Sequence, residues 1–243
     1  MITLVFAEAL QPFLPPARRG QPWCLPAPPG ASLKHLIEVC GVPHTEVGGI
    51  CVNGRPAGFA DRAADGERIE VRSWSAADLH AAHALRHWPA PEAMRFVADA
   101  HLGALARRLR MAGFDTCFRN DFADREIAAL AAAEARIVLT RDRGLLQHKA
   151  ISHACYIRAT TPEAQFDELV ARLGLRPGFR PFTRCMVCNA PLEAVAKGAV
   201  LGRLPPSVRL RQMRFTRCTG CGRVFWEGSH WQRMGRMLDV SGS

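Results

Sequence analysis

No stretch of this 243-residue chain is apolar for long enough to cross a bilayer, so an integral membrane helix is not expected. Nor is a secretory leader expected: Met1-Ile2-Thr3-Leu4-Val5-Phe6 is short and lacks a basic flank. A disulfide framework is also missing. The cysteine count is nine, an odd number, and Cys24, Cys40, Cys51, Cys117 and Cys155 lie scattered in apolar runs, where small buried hydrophobes are expected. Together these absences predict a protein of the reducing cytoplasm. Acidic residues are scarce in one place. Residues 181–243 hold 3 Asp+Glu against 10 Lys+Arg, whereas residues 1–75 balance 7 against 7 and residues 76–180 hold 12 against 15. Most of the formal net charge of +10 therefore travels with the tail. A localised positive excess attracts polyanions such as nucleic acid, although a merely basic, soluble surface has the same composition.

What the tail does contain is two C-x-x-C pairs, Cys185/Cys188 and Cys218/Cys221. Four thiolates on two such knuckles form the tetrahedral ligand set of a structural zinc site. This predicts a basic zinc ribbon over residues 181–243. Arg211, Arg214, Arg217 and Arg223 with Trp226 and Trp231 could clamp and stack single-stranded RNA. The tryptophans would equally serve as core in a module this small.

Residues 1–74 have a different pattern. A strand over residues 2–6 leads through a proline-rich stretch to a helix over residues 33–39, with Ser32 as its N-cap. Short strands follow around Ile50-Cys51-Val52 and residues 68–71, with turn signals at Asn53-Gly54 and Asp65-Gly66. That order is a β-grasp order. Residues 44–54 and 65–69 resemble the ubiquitin-like, sulfur-carrier type of β-grasp domain. Carriers act through a free diglycine tail, and here Val71 runs on into Arg72-Ser73-Trp74. A binding or packing role is therefore expected, with recruitment of a protein partner as one form of it. Residues 75–93 form a linker. Pairs of His80, His83 and His87 could share one helical face there and hold a metal, but no acidic or cysteine ligand accompanies them, which favours a plain polar helix.

Residues 94–180 alternate strands and helices. Strands are predicted over residues 95–98, 136–140 and 154–157, and the alternation implies a parallel sheet flanked by helices. Two of these strands end on acids, Asp99 and Asp142. Carboxyl ends of parallel strands line one crevice, so the two carboxylates should meet, and Asp124 at a helix start could lean in beside them. Three converging acids are stable mainly around a cation, and an oxygen-only ligand set favours Mg2+ or Mn2+. Such an ion beside a phosphate suits nuclease chemistry. Loop satisfaction for the strand-end aspartates and helix capping for Asp124 are the plainer roles. Arg107, Arg108 and Arg110 on the helix after Asp99 could hold phosphates, or simply keep that surface soluble.

The run Phe96-Val97-Ala98-Asp99-Ala100-His101-Leu102-Gly103, continued through Arg107-Arg108-Leu109-Arg110-Met111-Ala112-Gly113, resembles the opening of the PIN-like RNase module of the Mut-seven C-terminal RNase family. Ile137-Val138-Leu139-Thr140-Arg141-Asp142 is similar to the family's second signature, and the cysteine pairs with Phe225-Trp226 to its zinc ribbon. A ubiquitin-like domain is a known companion of this module. The resemblance implies a PIN fold and Mg2+- or Mn2+-dependent cleavage of RNA, with Asp99, Asp124 and Asp142 as catalytic, metal-holding acids. A fourth acid has no clear equivalent; Asp115, Asp121 and Glu126 are the available candidates. Three alternatives remain: an RNA-binding protein with a decayed site, an adaptor acting through its β-grasp domain, or a nuclease acting on DNA.

Overall fold

The computed structural model describes residues 1–26, 28–77, 79, 84–228 and 235. Residues 1–73 build a five-stranded sheet from β1 (Ile2–Phe6), β2 (Trp23–Leu25), β3 (Val47–Val52), β4 (Arg55–Ala57) and β5 (Arg68–Ser73), with α1 (Leu33–Val39) packed on it. The strand order is β2-β1-β5-β3-β4, with β1 and β5 parallel and the other pairs antiparallel, which is the β-grasp arrangement. Ser32 caps α1 by accepting the His35 N–H.

The middle of the chain forms a four-stranded, wholly parallel sheet in the order β7-β6-β8-β9, from β6 (Arg95–Ala98), β7 (Asp115–Phe118), β8 (Ile137–Thr140) and β9 (Ala154–Tyr156). The sequence pattern had suggested three strands. The fourth, β7, is four residues long and opens on an acid, so it carries almost no apolar signal. Every residue of β8 is buried, as expected for a strand covered on both faces. Alternation divides the strand side chains. Phe96, Ala98, Ile137 and Leu139 meet α2 (Gly103–Met111) and α5 (Pro162–Leu173) on one face. Val97 and Val138 meet α3 (Asp124–Glu134) on the other. α5 has Thr161 as N-cap, Pro162 in its first turn and left-handed Gly174 as its stop.

The β-grasp domain is not a free appendage. Its core residues Leu4, Leu36 and Val47 belong to the same buried cluster as Val97, Ile127, Val138 and Leu146 of the parallel-sheet domain. Glu46, fully buried, lies at the centre of the join. It accepts hydrogen bonds from Arg158 (3.1 Å), Arg172 (2.9 Å) and the Tyr156 N–H (2.7 Å). Removing one partner of a buried ion pair leaves the other desolvated and costs about 3–5 kcal/mol. Glu46→Ala is expected to lose that much in a urea titration of the whole chain. A loss below about 1 kcal/mol, the range of an exposed ion pair, would show that Arg158 and Arg172 do not depend on it.

The carboxyl-terminal part forms a three-stranded antiparallel sheet, β10-β11-β12, from β10 (Leu192–Val195), β11 (Phe215–Cys218) and β12 (Val224–Trp226). A short helix, α6 (Pro206–Arg211), precedes β11. Gly113 makes the join to this part possible. Its φ is +103°, and a Cβ there would lie 2.2 Å from the Arg180 carbonyl oxygen, so only glycine fits while Arg180 N–H bonds Ala112 O at 2.8 Å. No helix among the described residues is long and apolar enough to cross a membrane.

Candidate functional site

In the parallel sheet, the chain leaves β6 to form β7 on one side and returns to form β8 on the other. The point where the order reverses lies between β6 and β8, where open α/β sheets place their ligands, beyond the strands' carboxyl ends. Asp99 follows β6 and Asp142 follows β8 by two residues. The Asp99 N–H donates to Leu139 O at 2.9 Å, tying the two strand ends together. Thr140, fully buried, joins the acids. Its hydroxyl donates to Asp99 Oδ2 at 2.8 Å and accepts the Asp142 N–H at 2.9 Å. Asp142 is the N-cap of α4 (Arg143–Leu146) and its Oδ1 accepts the Gly144 N–H at 2.7 Å. Among the described residues nothing donates to Asp99 Oδ1 or Asp142 Oδ2, which leaves one oxygen on each acid for a ligand. A pair of anionic oxygens beside a hydroxyl is a hard donor set that suits Mg2+ or Mn2+.

Asp124 opens α3, which follows the carboxyl end of β7, so it stands at the same edge of the sheet, exposed to solvent. The three aspartates are not drawn into one tight group. Among the described residues, only the four cysteines bring three or more possible ligand atoms within 4.8 Å of one another. The candidates for a fourth acid are all engaged. Asp121 pairs with Arg119 at 2.9 Å. Glu126 accepts the Ala123 N–H at 2.9 Å and faces Arg119 at 3.4 Å. Asp115 sits at the amino end of β7, the far end of the sheet from Asp99, and is held by Arg136 at 2.8 Å and Asn189 at 2.7 Å. Burial alone would raise its pKa, but the hydrogen bonds and charge of these partners win and hold it below the usual carboxylate value.

The thiols fit zinc. Cys185 Sγ lies 3.8 Å from Cys221 Sγ, and Cys188 Sγ lies 3.3 Å from Cys218 Sγ. A tetrahedron of Zn–S bonds of about 2.3 Å has edges of about 3.8 Å. The first knuckle is fastened to the parallel-sheet domain. Arg110 donates to the carbonyls of Met186 (3.2 Å), Val187 (2.9 Å) and Thr116 (2.9 Å), and the Asn189 side chain bridges the Thr116 N–H (3.0 Å) and Asp115.

Arg110 is therefore corrected as an RNA contact. It is 4% exposed, and its guanidinium is consumed by these carbonyls. Arg108 is half-buried and pairs with Glu163 of α5. Arg107, on the same helix, is exposed. Arg214, Arg217 and Arg223 are exposed, with Arg214 3.7 Å from Glu227. Trp226 packs half-buried against Val200, Leu204 and Phe215, and also lines a groove of about 790 Å3 between the ribbon and the end of α2. Trp231, His80 and His83 lie outside the described residues. The family resemblance already points to the Thr140 hydroxyl as a group that positions Asp142 or a water; the structure adds its bond to Asp99.

A parallel sheet flanked by helices, with paired carboxylates at its switch point, a four-thiol ribbon and a β-grasp partner, puts the chain in the class of open α/β proteins that bind ligands beyond their strands' carboxyl ends. Comparison with family models narrows the class. Residues 94–238 match the Mut7-C RNAse domain and residues 1–78 match the Mut7-C ubiquitin domain. The first match spans more than half of the chain, and the chain belongs to the Mut7-C RNAse domain family. No curated protein and no solved structure matches it.

Proposed function

We propose that this protein is a cytoplasmic ribonuclease that cuts RNA internally and depends on Mg2+ or Mn2+. The observation that carries the reading is the Asp99–Thr140–Asp142 chain of hydrogen bonds at the switch point of a member of an RNase family. Asp99, Asp142 and Asp124 would hold the ion. A divalent ion held there stabilises charge on a scissile phosphate and makes water a better nucleophile at neutral pH. The chain's own part is positional. Thr140 fixes the spacing of the two acids, and the Gly144 amide turns Asp142 so that its second oxygen stays open. Arg107, exposed on α2, would meet a phosphate. Residues 1–74, 75–93, 94–180 and 181–243 are taken as β-grasp domain, linker, nuclease domain and ribbon.

The ribbon, with Arg214, Arg217, Arg223 and Trp226, supplies further RNA-binding surface. Its knuckle is fastened at the amino end of β7. Four residues of strand rise about 13 Å, so an RNA touching both the ribbon and the aspartates runs at least the length of the sheet.

A second reading has its own observation. Asp115, Asp121 and Glu126 are each tied to an arginine, so no free fourth acid stands among those candidates. On that reading the protein binds RNA, or adapts a partner, without cutting. Incubation of the purified protein with end-labelled single-stranded RNA separates the two. Internal cleavage products are expected with Mn2+ or Mg2+ and none with chelator. Retention of RNA on the protein with no product under any metal condition would select the second reading. Cleavage that persists undiminished in chelator would overturn the metal requirement.

A further inference from the structure

Asp142 caps a helix of only four residues, Arg143–Leu146. So short a helix cannot hold its own place, because most helical stability comes from tertiary packing. On the sheet side the tethers are the Thr140 hydroxyl and the buried side chains of Leu145 and Leu146, packed in one cluster with Val138 and Ala154. On the other side the tether is the β-grasp domain, which grips the segment at three points. Arg143 reaches from the first turn to the carbonyls of Pro12 (2.8 Å) and Phe13 (3.4 Å), with its guanidinium 5.4 Å from the centre of the Phe13 ring. The Thr45 hydroxyl donates to Leu146 O at 3.1 Å. His44 Nε2 lies 3.1 Å from Ile151 O. Phe13 itself is buried edge-on against Tyr156, at 5.2 Å between ring centres, at the end of β9.

We propose that the β-grasp domain is a working part of the metal-holding site, with Arg143 as a positioning residue that latches the Asp142 helix to Pro12 and Phe13. The inference rests on the metal-dependent reading above. It gives the β-grasp domain a task within its own chain. Arg143 touches neither Asp99 nor Asp142 through its side chain, and its effect passes through the backbone it shares with Asp142.

The test is Mn2+ binding to the whole protein, without RNA, followed by electron paramagnetic resonance, for wild type, Arg143→Ala and Arg143→Lys. Residues that only orient metal ligands change affinity about 10–100-fold, so Arg143→Ala is expected to weaken Mn2+ binding by about 10-fold or more. Arg143→Lys keeps the charge but donates from a single point, and should fall between the two. Amide exchange at Gly144–Gln147 should accelerate in Arg143→Ala while the amides of β6 and β8 stay protected. A wild-type Mn2+ isotherm in Arg143→Ala, with wild type binding Mn2+ normally, overturns the latch alone. A wild-type protein that binds no Mn2+ and cuts no RNA overturns the latch together with the nuclease reading.

Discussion

Asp99→Asn and Asp142→Asn proteins are each expected to cut RNA more than about 100-fold more slowly than wild type. Outer partners that merely orient a ligand already cost about 10–100-fold, and these changes remove an anionic oxygen itself. Asparagine at position 99 can still accept the Thr140 hydroxyl, so the strand ends should stay in place. The folded state should hold or gain stability, because two like charges joined through one hydroxyl repel each other when no cation lies between them. The two substitutions belong to one unit, so the double variant should be hardly worse than either single one. Rates measured under single-turnover conditions, beside thermal melts, check each point. Losses below about 10-fold in both single variants would place the chemistry elsewhere. Asp124→Asn is the discriminating companion. A loss comparable to the others makes Asp124 the third ligand of the site, whereas a small loss assigns it to the positive end of α3.

The parts of this arrangement that were legible in the sequence are those written in local spacing. The C-x-x-C pairs announce their own tetrahedron, because two residues between cysteines return both thiols to one side of a tight turn. Asp99 and Asp142 were legible because each follows an apolar strand, and parallel strands bring their carboxyl ends together. The parts that were not legible are carried by partners far away in the chain. Arg110 stands on α2 one residue after Leu109, on a basic helix, and nothing nearby says that its partners are carbonyls 76 and 77 residues onward. Glu46 looks like any polar residue before a strand, yet three donors between 110 and 126 residues away surround it. Strand β7 was hidden for a related reason. Asp115 and Thr116 are polar residues whose groups are satisfied by Arg136 and Asn189, so the strand needs no apolar alternation to be stable there.

Removing zinc is expected to damage more than the ribbon. Structural zinc contributes an apparent 10–16 kcal/mol in isolated zinc-finger peptides, roughly the whole stability of a small module, so a chelated ribbon should lose its fold. The damage should then cross into the nuclease domain through Arg110. That guanidinium is buried, and two of its three carbonyl acceptors belong to Met186 and Val187, the residues between the first pair of cysteines. A buried donor left without its partner costs about 1–3 kcal/mol, and more for a charged one. Asn189 would be lost with the knuckle, freeing the Thr116 N–H and one hydrogen bond to Asp115. Chelation, or Cys188→Ser, should therefore lower the denaturation midpoint of the parallel-sheet domain and speed exchange of the Thr116 amide. An unchanged midpoint and an unchanged Thr116 in protein shown by elemental analysis to hold no zinc would uncouple the two modules. Arg110→Met should mimic part of the effect with zinc still bound, because it removes the buried charge and keeps most of the side-chain volume. The consequence for the crevice is unequal. β7 is the strand the ribbon holds, and its carboxyl end leads through Arg119 into α3 and Asp124. Asp99 and Asp142 hang on β6 and β8, which Thr140 and the Asp99 N–H lock to each other. Loss of zinc should thus loosen the Asp124 side of the crevice first and leave the Asp99–Asp142 pair in register.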